Sequence, residues 1–183
     1  MKSFRLESNA SVRLKLGLSV LLIAFAVGAR IVPHPANFVP LAAVALFGAA
    51  VLPRRWAVIV PLVAMVASDL VVGLHPLVFY TWGSFAVIAF AGSHFLGRVS
   101  ASRVVVSSLA ASVFFYLVTN FGVWTQGLMY PMTPGGLLQC YINALPFFRA
   151  TLLGDLFYSG ALFGSYAIVL AWATQLRSNY VRV

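Results

Sequence analysis

The chain has 183 residues, 62% of them hydrophobic and 8% charged, against about 25% charged in a typical soluble domain. A soluble fold of this size cannot hide so much apolar surface, which excludes a cytosolic enzyme, a nucleic-acid-binding domain and a disordered tail. The net charge of +9 comes from basic residues set singly between apolar runs, so membrane lipid and not nucleic acid is the expected partner.

An all-α polytopic membrane protein follows, in three parts: a cytoplasmic N-terminal segment over 1–13, a six-helix transmembrane domain over 14–176, and a cytoplasmic tail over 177–183. The basic start and the apolar run from Leu16 to Ala29 imitate a secretory signal, with Ala24, Ala26, Gly28 and Ala29 offering a cleavage site. Further apolar spans follow at once, so an uncleaved first helix is expected. A bilayer core needs about 20 apolar residues per helix. Six runs answer to this, over 14–32, 37–52, 56–74, 77–96, 104–124 and 150–175. The second is short and carries Pro40 near its start, which predicts a tilted or partly re-entrant segment. Pro33, Pro35, Pro53, Pro76 and a serine-containing stretch over 97–103 separate the spans. The long connection over 126–148, rich in Pro, Gly and aromatics, is expected outside the membrane, with a short interfacial helix over 137–144. Its length and aromatics predict a lid carrying Cys140. As the only cysteine, Cys140 excludes an intrachain disulfide and a cysteine-cluster metal site.

Basic residues set the orientation. With the N-terminus in the cytoplasm, the inner segments collect Lys2, Arg5, Arg13, Lys15, Arg54, Arg55, Arg98, Arg103, Arg177 and Arg182, leaving Arg30 and Arg149 outside. Both ends are then cytoplasmic. Asp69 lies about 20 Å along the third span and Asp155 about 9 Å into the sixth, both in the outer part of the membrane. Arg30, Asn120, Arg149, His34, Asn37, His75, Tyr80, Trp124, Tyr130 and Tyr141 fall at the same level. A charge in hydrocarbon costs at least about 2.5–3.5 kcal/mol, so these groups must face protein or water. Either Asp69 pairs with Arg149 or Arg30 simply to lock helices, or the layer lines a pocket open to the outside. The candidate ligand-binding set is Arg30, His34, Asn37, Asp69, His75, Tyr80, Asn120, Trp124, Tyr141, Arg149 and Asp155. Asn120 and Trp124, four residues apart, share a helical face. Arg149 and Asp155 stand about 240° apart on one helix and cannot pair there. His94 belongs to the inner end of span four, and three scattered histidines make no metal spacing. Ala24 and Gly28, like Ala45 and Ala49, are small residues four apart that let helices approach, within the chain or against a second membrane protein.

The stretch from Pro33 to Pro40, with Ala45-Leu46-Phe47-Gly48, Ser68-Asp69-Leu70, Gly73-Leu74-His75, Tyr80 and Phe114-Phe115, resembles an uncharacterised family of small bacterial membrane proteins. Thr119-Asn120-Phe121-Gly122-Val123-Trp124, Tyr130-Pro131, Cys140-Tyr141, Leu145-Pro146-Phe147-Phe148 and Gly154-Asp155 extend the likeness over roughly residues 30–165. That family is similar in architecture to the S-components of energy-coupling-factor transporters. The resemblance implies a bacterial inner-membrane location, a substrate bound near the outer face, and docking of Ala24 and Gly28 on an energy-coupling module (a membrane scaffold with ATPases). Some cobalamin-capturing relatives use a cysteine as cobalt ligand in or between spans three and four. This chain has no cysteine there, so that role is not carried to Cys140.

The expected function is capture and uptake of a small micronutrient at the outer face, with no catalytic residues and no cofactor. The alternatives are a structural or assembly subunit, and an intramembrane aspartyl enzyme using Asp69 and Asp155. The second lacks the fuller glycine pattern of such enzymes.

Overall fold

The computed structural model describes residues 9–180, with side chains over 12–175, and is entirely helical apart from its connections. The outermost parts of both expected cytoplasmic segments, with Lys2, Arg5 and Arg182, lie outside the described residues. Six helices follow in order: α1 (Asn9–Ile31), α2 (Leu41–Val51), α3 (Arg54–Val72), α4 (Val78–Phe95), α5 (Ala101–Thr125) and α6 (Pro134–Tyr180).

Four of these, α1, α3, α5 and α6, are long and apolar enough to cross a membrane. Helix α4 has 18 residues, with Tyr80, Thr81 and Trp82 in its first turns and His94 in its last. Helix α2 has only 11 residues, a rise of about 16 Å against a hydrocarbon core of about 30 Å. It is the centre of the molecule. Every residue from Leu41 to Ala49 is buried, and α2 packs against each of the other five helices. Its sequence explains the position: Ala42, Ala43, Ala45, Gly48 and Ala49 project little, so neighbouring backbones come close. On α4, a Cβ placed on Gly92 would sit 3.1 Å from the Ala49 Cβ, so glycine sets that approach. Beyond the small residues the core is closed by Phe47 against Phe163, 5.2 Å apart, and by Phe85 against Phe115, 5.0 Å apart.

The long connection expected over 126–148 is much shorter. It ends at Thr133, whose hydroxyl accepts a hydrogen bond from the Gly136 N–H at 3.1 Å and so caps α6. Pro134 then takes the first helical position, where its missing N–H costs nothing. Thr-Pro-Gly-Gly is a helix start here, although Pro and Gly together resemble a loop. Pro146 remains inside α6, as prolines do in membrane helices whose neighbours satisfy the freed carbonyl. At 1.5 Å per residue α6 runs about 70 Å, so only part of it matches a bilayer. The part packed against α5 includes Cys140, Asp155 and Ser159, which bond to Asn120, Ser112 and Ser108 in antiparallel order. The sixth helix therefore begins well before residue 150, and from 167 to 175 α6 is exposed throughout.

Candidate functional site

The short central helix leaves space above its amino end. The chain approaches it through a turn in which the Phe38 N–H donates to the Pro35 carbonyl at 3.0 Å, with Asn37 at φ 63°. Asparagine tolerates this left-handed conformation better than other residues with a side chain. Phe38 then lies against Gly154 of α6, where a Cβ would meet it at 3.3 Å. Between this turn, α3, α4, α5 and α6 opens a cavity of about 440 Å³. Arg30, His34, Asn37, His75, Asn120 and Asp155 line it, joined by a wall of Phe85, Phe115, Tyr116, Phe147 and Phe148. His34 and Asn37 are exposed at the mouth, whereas Asp155 is 3% exposed. Leu41 and Ala42, at the amino end of α2, also line the cavity.

One wall is fixed by an ion pair. The Arg30 Nη1 lies 2.6 Å from the Asp69 Oδ1 and also donates to the Ser68 hydroxyl at 2.5 Å, while the Trp82 Nε1–H donates to the Asp69 Oδ2 at 2.7 Å. Three helices, α1, α3 and α4, are thus joined at one carboxylate whose two oxygens are both engaged. Asp69 is 0% exposed and does not line the cavity; Arg30, 15% exposed, does. The lock reading of Asp69 fits this geometry, with Arg30 rather than Arg149 as its cation.

The opposite wall carries Asp155. Its Oδ2 accepts from the Ser112 hydroxyl at 2.6 Å, and Ser108 donates to Ser159 at 2.8 Å one turn along the same α5–α6 seam. Among the described residues Asp155 has no ion-pair partner. Asp69 and Asp155 thus belong to separate networks, on α1–α3–α4 and on α5–α6, and share no proton.

The remaining expected site residues stand off the cavity, each for a visible reason. Tyr80 bonds its hydroxyl to Thr125 at 2.9 Å and packs on Gly122, tying α4 to the end of α5. Trp124 shares a face with Asn120 only in helical phase, since its Nε1–H donates to the Pro131 carbonyl at 3.0 Å and closes the α5–α6 connection. Tyr141 donates to the Leu117 carbonyl at 2.9 Å. Arg149 is exposed on the outside of α6, because the helix starts early and places it within the paired stretch and not at its tip. Cys140 is no lid residue: it is 1% exposed, with its thiol donating to the Asn120 carbonyl at 3.4 Å. On α1, Ala24 is exposed and a Cβ added to Gly28 would meet nothing within 4 Å, so among the described residues no helix packs there.

Several contributors escaped the sequence reading. Ser68 and Trp82 complete the Asp69 cluster, Ser112 holds Asp155, and Tyr116 and Thr119 join the wall. The signal was present for some of them: Ser108 and Ser112 on α5, and Asp155 and Ser159 on α6, are polar pairs four apart on otherwise apolar faces.

The described residues hold no group of three or more His, Cys, Asp or Glu that could hold a metal ion. No curated protein and no solved structure matches the chain. A family model described as "Family of unknown function (DUF6580)" matches residues 10–177, and the chain belongs to that family.

Proposed function

We propose that this protein is an integral membrane component that captures a small solute in the cavity above α2, as the binding part of an uptake system in a bacterial inner membrane. One observation carries the reading: the central helix is short, and the space it leaves is lined by an oriented arginine, a buried carboxylate and aromatic rings. A large aromatic-lined cavity with a few convergent polar groups is the usual form of a small-molecule site. The excess of basic residues around the Arg54 and Arg98 ends supports a cavity mouth on the outer side. Release inward then requires the protein to rock or to rearrange around α2. The uncovered face at Ala24 and Gly28 is the place where an energy-coupling scaffold of the S-component type would dock.

Native mass spectrometry of the protein extracted from its own membranes tests capture. A bound small molecule should be present, and Thr119→Phe, which fills the cavity from α5, should lose it while the protein stays folded. Wild-type protein without any bound small molecule would refute capture and leave the assembly-subunit reading.

A further inference from the structure

We infer that the solute taken by this cavity is an organic cation, its positive centre seated between the Asp155 carboxylate and the surrounding aromatic rings. The inference rests on the capture reading and adds the chemical class of the ligand.

Charge is the first ground. The cavity wall includes two charged side chains, Arg30 and Asp155. Arg30 is already neutralised by Asp69 at 2.6 Å. Asp155, 3% exposed, has one hydroxyl bond and no cation among the described residues. With Asp155 ionised, the local sum is one negative charge, in a chain whose net charge is +9. Carboxylates are rarely buried without a counter-charge. The amino end of α2 offers partial compensation, equivalent to roughly half an elementary charge. Among the described residues the carboxylate takes its hydrogen bond from Ser112 and not from these N–H groups, so it is left without a full partner.

The walls are the second ground. Phe85 and Phe115 pair at 5.0 Å, Tyr116 and Phe148 at 4.8 Å, and all four border the cavity. Ring faces attract a cation through their quadrupole, and most strongly where water is excluded. The histidines do not oppose this. The His75 Nδ1 is engaged by the Leu77 N–H at 3.2 Å, so that nitrogen offers no donor to the cavity. The His34 Nδ1 is engaged with the Pro35 carbonyl at 2.9 Å, at the exposed mouth.

The test uses full-length protein in detergent and two probes of nearly equal shape, benzyltrimethylammonium and its neutral carbon isostere neopentylbenzene, read by calorimetric titration and thermal shift. Wild-type protein should bind the cation and prefer it over the isostere by about tenfold or more, equivalent to about 1.4 kcal/mol. Asp155→Asn, which keeps the size and an acceptor for Ser112, should erase that preference. Equal binding of both probes would overturn the cation inference while leaving capture intact. So would a neutral or anionic molecule found bound to wild-type protein by mass spectrometry. If neither probe binds and no small molecule co-purifies, both the inference and the capture reading fall. The two-probe comparison on wild-type protein decides the matter even if Asp155→Asn fails to fold.

Discussion

The ion pair between Arg30 and Asp69 can be broken from either side, and the two breaks should not cost the same. In Asp69→Asn the guanidinium loses its counter-charge but keeps its bond to Ser68, and it is 15% exposed on the wall of an open cavity. In Arg30→Met the carboxylate, 0% exposed, keeps only the Trp82 N–H. Breaking a buried pair from one side costs about 3–5 kcal/mol, because the surviving charge is stranded. The partly exposed arginine places Asp69→Asn at the low end, about 3 kcal/mol or less, and the enclosed carboxylate places Arg30→Met at the high end, about 4–5 kcal/mol. For a chain of this size 1 kcal/mol moves the melting temperature by about 2–4 °C, so Arg30→Met should lower it by about 8–20 °C. The double variant Arg30→Met/Asp69→Leu removes both charges and should melt above Arg30→Met alone, since an apolar replacement of a buried pair is often neutral or better. Thermal unfolding in detergent followed by tryptophan fluorescence measures this, with Trp82 in direct contact with the cluster. Equal losses in the two single variants, or a double variant that simply adds them, would refute the account of Asp69 as a charge-neutralised lock.

Two further outcomes follow from the packing. Gly122→Ala should destabilise the protein by about 1–3 kcal/mol as overpacking does, since the new Cβ would lie 2.6 Å from the Tyr80 ring; unchanged unfolding would disprove that contact. Cys140 should react with a maleimide only after denaturation, with or without solute, and rapid labelling of the folded protein would restore the lid.

Much of the site was legible because polar residues are so rare in this chain. With three acids among 183 residues, Asp69 and Asp155 had to be interior features, and Arg30, His34, Asn37, His75 and Asn120 could be placed at one level by counting along apolar runs. The short second segment with its early proline was equally visible, and α2 is the element that opens the cavity. Periodicity could not tell which face of a helix meets which neighbour. Tyr80, Trp124 and Tyr141 share the right depth but spend their polar atoms on Thr125, Pro131 and Leu117. Depth is a one-dimensional property of the sequence, whereas lining a cavity depends on rotation about the helix axis.

The misplaced start of α6 shows the same limit from another side. Reading Pro134, Gly135 and Gly136 as loop residues pushed the sixth span toward 150–175, and with it Arg149 to the membrane edge. One cap reverses that reading: once Thr133 accepts the Gly136 N–H, the helix runs on through Pro146 and pairs with α5 from Cys140 to Ser159. Asp155 then lies in the middle of a packed seam, opposite Ser112, where a carboxylate can be both buried and aimed at the cavity. A sixth span starting near residue 150 would have set Asp155 only about 9 Å from its outer end. The early start of α6 and the brevity of α2 therefore act together, one carrying the carboxylate into the interior and the other leaving room for what it binds.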